Sequence, residues 1–140
     1  VNGTRTIAGV RVGDTLPPLE IPLTRTLIVA GALATRDYED VHHDPSLAEQ
    51  RGTPDTYMSI NNTNGFVGRF VTDWAGPAAR LLRLCTRLGV PNFPGDTMTL
   101  TGEVVAVDDD IVRVAVRGTN SLGAHAISEV TVRLPRGTGE

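Results

Sequence analysis

The sequence predicts an α+β domain in which one antiparallel sheet curls around a single long helix, and three observations lead to that class. Between Ile60 and Trp74, the apolar residues Phe66, Val67, Phe70, Val71 and Trp74 recur at helical spacing until Gly76-Pro77 stops them. Beyond Gly95, residues 97–107, 111–119 and 124–134 alternate apolar with polar and are rich in β-branched side chains. Asp108-Asp109-Asp110 and Ser121-Leu122-Gly123 mark the turns between them. A short strand pattern also precedes the helix, so the order is strand, long helix, antiparallel meander.

Taken in order, residues 1–9 and 136–140 are expected to fray. Pro17-Pro18 precede Leu19-Glu20-Ile21-Pro22-Leu23-Thr24, which alternates as a strand; Pro22 has no N–H to give a ladder and places it at a sheet edge. Thr26 is the expected cap of a helix running over Leu27-Ile28-Val29-Ala30 toward Thr35, with a polar loop after it. Thr53-Pro54 breaks the chain before the long helix. Residues 80–88 suit either element, since Leu81, Leu82, Leu84, Cys85 and Leu88 serve both periods, and propensity favours helix.

Bulk properties narrow the function. A chain of 140 residues and 14.9 kDa fits one domain, 1–140. Net charge is −3 with pI near 5.6 and there is no basic run, so neither nucleic acid nor an anionic membrane is expected as a partner. All 13 basic residues are Arg, which excludes lysine Schiff-base chemistry and a P-loop lysine. One cysteine, Cys85, allows no internal disulfide and no thiol-based metal centre, and a reducing cytoplasm is the expected setting. No apolar run approaches the roughly 20 residues of a membrane span. The start at Val1 without Met is taken as trimming or an incomplete start, not as secretion.

The chemistry is concentrated in Thr35-Arg36-Asp37-Tyr38-Glu39-Asp40-Val41-His42-His43-Asp44-Pro45. A carboxylate and an imidazole in one loop can hold a water between them: Asp37 withdraws a proton while His42 orients the water or relays the proton. Two plainer readings stand beside it. The segment could be a solvated loop in which Asp44-Pro45 opens a turn. His42, His43 and Asp44 could instead bind a metal, although adjacent residues rarely converge on one ion. No metal is expected. Cys85 is a poor nucleophile, being expected buried in an apolar run.

The run Asp37 to Asp44 resembles the motif D-x-N-P-[LIV]-H-x-D of MaoC-like, R-specific enoyl-CoA hydratases. Asp37, Val41, His42 and Asp44 match, while Glu39-Asp40 stands where that family has Asn-Pro. Four blocks are similar to one subfamily, the small subunits of actinobacterial heteromeric hydratases of cholesterol side-chain degradation. They are Ala32–Asp37, Asp40–Asp44, Val71–Pro77 and Arg87–Pro91, within a resemblance spanning Leu16 to Arg133.

The resemblance implies a hotdog fold with residues 80–88 as a strand, against their propensity. It implies Asp37 and His42 as the catalytic pair, CoA thioesters as substrates, and no cofactor beyond the coenzyme A of the substrate. The implied partner is a larger hotdog subunit with a DUF35-type OB-like domain, forming a heterotetramer, with a thiolase-like aldolase docking on that domain.

A hydratase needs donors for the thioester oxygen, and the free backbone N–H groups of Ser59, Ile60 and Asn61 at a helix start would supply them, unless Ser59 is only a cap. Asn61-Asn62-Thr63-Asn64 either lines the acyl pocket or pairs with loop backbone. Trp74 is expected as core or interface filler in place of a substrate contact, His125 is expected to be structural on a strand face, and Arg36 and Arg69 are candidates for CoA phosphates against ordinary solvated arginines. Two other functions fit a hotdog domain: an acyl-CoA thioesterase, and a non-catalytic subunit that completes a partner's pocket.

Overall fold

The structure is a computed structural model that describes residues 3–137. Its elements are β1 (Thr15–Pro22), α1 (Arg25–Ala34), α2 (Pro45–Gln50), α3 (Ile60–Ala75), β2 (Arg80–Leu88), β3 (Thr97–Asp108), β4 (Ile111–Asn120) and β5 (Gly123–Arg133). A 3-10 turn spans Asp40–His42 and another Ile7–Gly9. The five strands pair antiparallel in the order β1-β3-β4-β5-β2, so β1 and β2 are the free edges.

Alternation decides which face of each strand turns inward. Met98, Leu100 and Val104 of β3, Val112, Val114 and Val116 of β4, and Val130 and Val132 of β5 are buried with Val67, Phe70, Val71 and Trp74 of α3 in one core. Each such side chain contributes about 1.5–3 kcal/mol by leaving water. Pro17-Pro18 fall where the β1–β3 register shifts, between Leu16 and Leu19, which is where an edge strand tolerates residues that cannot donate. The strand begins at Thr15, earlier than the prolines suggested.

Other expectations need correction. Thr24, not Thr26, caps α1, its hydroxyl accepting from Leu27 N at 3.0 Å. The buried Leu23 just before it anchors the chain where the helix must start. Residues 45–50 form a helix capped by Asp44 and not merely a turn. Residues 80–88 are a strand, because pairing with β5 overrides local propensity. Cys85 is exposed because alternation turns its neighbour Leu84 toward the core and Cys85 to the outer face of the sheet, opposite the exposed Glu129.

The N-terminal segment is engaged over the residues described. Arg5 N donates to Ala75 O and Arg5 Nε to Trp74 O, both at 2.9 Å, with the guanidinium over the Trp74 ring. These are last-turn carbonyls of α3 that no helical N–H can reach, and a cation suits that end of the dipole. Ile7 N pairs with Pro135 O. At the other end, Arg136 pairs with Asp109; residues 1–2 and 138–140 of the expected frayed ends lie outside the described residues.

His125 on β5 is buried, and its two polar contacts, Thr63 and the Val90 carbonyl, are uncharged. Burial pushes its pKa below the ordinary 6.5. The unfolded chain therefore binds a proton that the folded chain refuses, and stability falls as pH drops below about 6.5. Asp55 and Asp96 are held below the usual carboxylate value by Arg25 and by Ser121, so their contribution is lost only in more acidic solution. Thermal melts should show a plateau above about pH 7 and a decline from about pH 6.5 to 5 that is reduced in His125→Leu. A flat wild-type profile over that range would contradict the burial of a neutral imidazole.

Candidate active site

Asp37 is placed by the way α1 ends. Thr35 is the last half-helical residue; Arg36 N then donates to Leu33 O and Asp37 N to Ala32 O, the paired bonds of a Schellman closure. Arg36 occupies the left-handed position of that motif at φ 56°, where glycine is the usual residue. An L side chain there costs about 1–2 kcal/mol, and the strain sits one residue before Asp37.

His42 closes the 3-10 turn that follows. Asp40 begins this turn, accepts from His43 N and Asp44 N, and pairs with Arg51 at 2.9 Å. That pairing shapes the loop without the proline of the resembled motif. Asp44 Oδ1 caps α2 by accepting from Leu47 N at 3.1 Å.

The two candidate residues converge, with Asp37 Oδ2 3.7 Å from His42 Nε2. This is too far for a direct hydrogen bond, yet it lets one water touch both. His42 Nδ1 lies 2.7 Å from Tyr57 O, and a carbonyl can only accept, so Nδ1 carries a hydrogen; in the neutral imidazole, Nε2 then presents its lone pair toward Asp37. The Tyr57 ring meets the imidazole edge-on at 5.1 Å. His42 is 8% exposed, so the pair sits in a partly dehydrated niche where charge–dipole effects are strong.

With Nδ1 given to Tyr57 and Asp44 given to a cap, the His42/His43/Asp44 set is not arranged as a metal site. No cluster of three potential ligands occurs among the described residues.

Two residues past Tyr57, Ser59 opens α3. Its hydroxyl accepts from Asn62 N at 3.2 Å, so the side chain acts as the cap. The N–H groups of Ile60 and Asn61 precede the first intrahelical bond and donate to no group among the described residues. Asn62 is pressed against α1, where a Cβ on Gly31 would lie 2.0 Å from its Nδ2, so any larger residue at 31 would displace the Asn62 side chain. Asn62 Nδ2 has no hydrogen-bond partner there. Thr63 pairs with the His125 side chain, not with loop backbone. Arg69 pairs with Asp73, and Arg36 is exposed. The Tyr57 carbonyl is the site group that sequence reasoning missed, since a backbone oxygen carries no signature of its own.

The fold is that of the hotdog hydratases. R-hydratase PhaJ1 from Pseudomonas aeruginosa superposes with a TM-score of 0.83 at 20% identity, covering 94% of this chain and 86% of that one. The (R)-hydratase of A. caviae involved in PHA biosynthesis does so at 0.80 and 22%, covering 91% and 98%. No protein-family model matches the chain.

A nearer relative is the 3-oxo-4,17-pregnadiene-20-carboxyl-CoA hydratase beta subunit of Mycobacterium tuberculosis (strain ATCC 25618 / H37Rv). It is 46% identical over 123 residues, which is 88% of this chain and 95% of that protein. The ChsH1-ChsH2 complex from the same organism contains a chain that superposes with a TM-score of 0.88 at 45% identity, covering 89% of this chain and 98% of that one. This chain belongs to the family of that hydratase beta subunit.

Arg36→Gly should relieve the left-handed strain, raising the melting temperature by a few degrees, a gain of about 1 kcal/mol, while Asp37 stays in place. A lower melting temperature would show that the Arg36 side chain makes contacts worth more than the strain.

Proposed function

We propose that the chain is the catalytic subunit of an enoyl-CoA hydratase that adds water to the conjugated double bond of a steroid side-chain enoyl-CoA, giving a β-hydroxyacyl-CoA. The observation that carries this is the Asp37–His42 pair, 3.7 Å apart with the imidazole tautomer set by Tyr57, in a chain of this family. A water held between carboxylate and Nε2 gives up a proton to the pair as its oxygen joins the β-carbon. The pair returns a proton to the α-carbon, so the sum is one water added. Negative charge gathers meanwhile on the thioester oxygen, and backbone N–H groups around Ser59, Ile60 and Asn61 stabilise it.

The related subunit is named for a substrate of the 3-oxo-4,17-pregnadiene-20-carboxyl-CoA type, and we assign this chain the same class. Its double bond joins the ring to the shortened side chain, so hydration yields a tertiary alcohol suited to retro-aldol cleavage. The reaction needs no metal and no cofactor. A reducing cytoplasm suits a chain whose single thiol is exposed.

The assembly follows from what the chain leaves uncovered. Edge strand β2 carries Leu81 and Leu82, each 45% exposed, and Leu88, 39% exposed, beside unpaired backbone groups. Such an edge needs a cover, and the related chain is found in a complex of two proteins. The proposed partner is a larger hotdog subunit bearing a DUF35-type OB-like domain, in a heterotetramer, with a thiolase-like aldolase docking on that domain. A CoA thioester needs a tunnel, and the partner supplies its second wall.

Assayed with its partner on a steroid enoyl-CoA, Asp37→Asn and His42→Ala should each lower hydration by about 10²-fold or more with assembly intact. His43→Ala, at an exposed position, should change it far less. Near-normal turnover in Asp37→Asn removes the mechanism, and release of free thiol in place of hydration would make the protein a thioesterase.

Leu82→Arg should weaken assembly about tenfold or more, read by light scattering, with the isolated chain still folded. An undisturbed heteromer would place the interface elsewhere.

A further inference from the structure

Thr63, His125 and Asn92 are buried polar residues that the mechanism above leaves unused. We propose that His125 is a positioning residue: through Thr63 and the Val90 carbonyl it fixes the first turn of α3, and with it the alignment of the thioester-oxygen donors relative to His42. This rests on the hydratase reading.

Segment 57–63 carries both halves of the site. Tyr57 O accepts from His42, and the N–H groups of Ile60 and Asn61 follow within one turn of helix. One loop grips the segment at two points. Met58 N donates to Asn92 O at 3.0 Å. Further along, Thr63 Oγ1 lies 2.9 Å from His125 Nε2, whose Nδ1 lies 2.7 Å from Val90 O. The Val90 carbonyl only accepts, so Nδ1 bears the hydrogen and neutral Nε2 accepts from the Thr63 hydroxyl. Both hydrogen bonds then have a fixed direction.

The loop that makes these contacts is itself held. Gly89 N donates to His125 O and Val90 N to Ala124 O, and a Cβ at Gly89 would lie 2.2 Å from Ala124 O, so this approach requires glycine. Asn120 Nδ2 donates to both Pro91 O and Asn92 Oδ1 at 2.8 Å.

Thr63 and Asn92 are fully buried and His125 is 1% exposed. A valine and a leucine could fill the Thr63 and His125 space without the cost of dehydrating polar groups. What the hydrogen-bonded pair adds is direction, and an acid/base site tolerates placement errors of only about half an ångström.

The test uses the complex with the partner subunit. Thr63→Val keeps the shape and removes the hydroxyl; Thr63→Ser keeps the hydroxyl. Hydration kinetics are read beside isotope-edited infrared spectra of the bound thioester C=O, taken in an Asp37→Asn background where substrate is consumed about 10²-fold more slowly. Thr63→Val should lose about tenfold or more in kcat with KM within about twofold, and its C=O band should move back toward that of free substrate.

Thr63→Ser should restore both. Should Thr63→Val fail to assemble, Thr63→Ala gives the same two readings. Unchanged kcat and C=O band in a Thr63→Val complex that has merely lost thermal stability would make the bridge structural only and overturn the proposal. A wild-type complex that hydrates no enoyl-CoA would defeat the hydratase reading, and this role with it.

Discussion

Burial of α3 is the constraint on which the rest of the domain depends. Its stripe of Val67, Phe70, Val71 and Trp74 must leave water, and the inner face of β3, β4 and β5 is the apolar surface that receives it. Once the helix axis is set in this way its N-terminus is placed too, and the proposed catalytic pair is tied to that end. Tyr57 O, two residues before the Ser59 cap, reaches back to His42. The opposite end is closed by Arg5 on the Trp74 and Ala75 carbonyls, so both ends of the helix are held by chain distant in sequence.

Around the candidate site the packing departs from what stability alone would select. Arg36 takes a left-handed conformation, Asp40 Oδ1 and Asn62 Nδ2 are buried without partners, and His125 is kept neutral in the core. The left-handed residue and each unpaired buried atom cost free energy of order 1–3 kcal/mol. Arg36, Asp40 and Asn62 lie on the segments that join α1, the His42 loop and the start of α3, where several weak preferences are overruled to bring a carboxylate and an imidazole to one niche. Apart from the Thr63–His125 pair, the core between α3 and the sheet shows no comparable concession: the side chains of its main cluster are apolar.

The same economy explains the exposed side. β2 pairs with β5 along its length, but its other edge and much of its apolar surface face outward. A strand so placed invites pairing or a covering surface, which agrees with the two-protein complex formed by the related chain. The domain is thus well packed where it meets itself and open where a partner is proposed.

Much of the fold was legible in the sequence because it rests on periodicity. The 3.6-residue spacing of α3 and the alternation of β3 to β5 survive in the structure within a residue or two. The Asp37–His42 pair was legible because both residues fall in one short loop, where their meeting needs no knowledge of the tertiary fold. Tertiary structure alone decided the rest. Strand β2 has a helix-compatible composition and is a strand because β5 offers it a ladder; Thr24 displaced Thr26 as the cap because Leu23 is anchored first; Cys85 faces water because alternation turns it to the outer face of the sheet. The tautomer of His42 and the bridge from Thr63 through His125 to Val90 depend on backbone carbonyls. Every residue has one, so no residue type could have announced them.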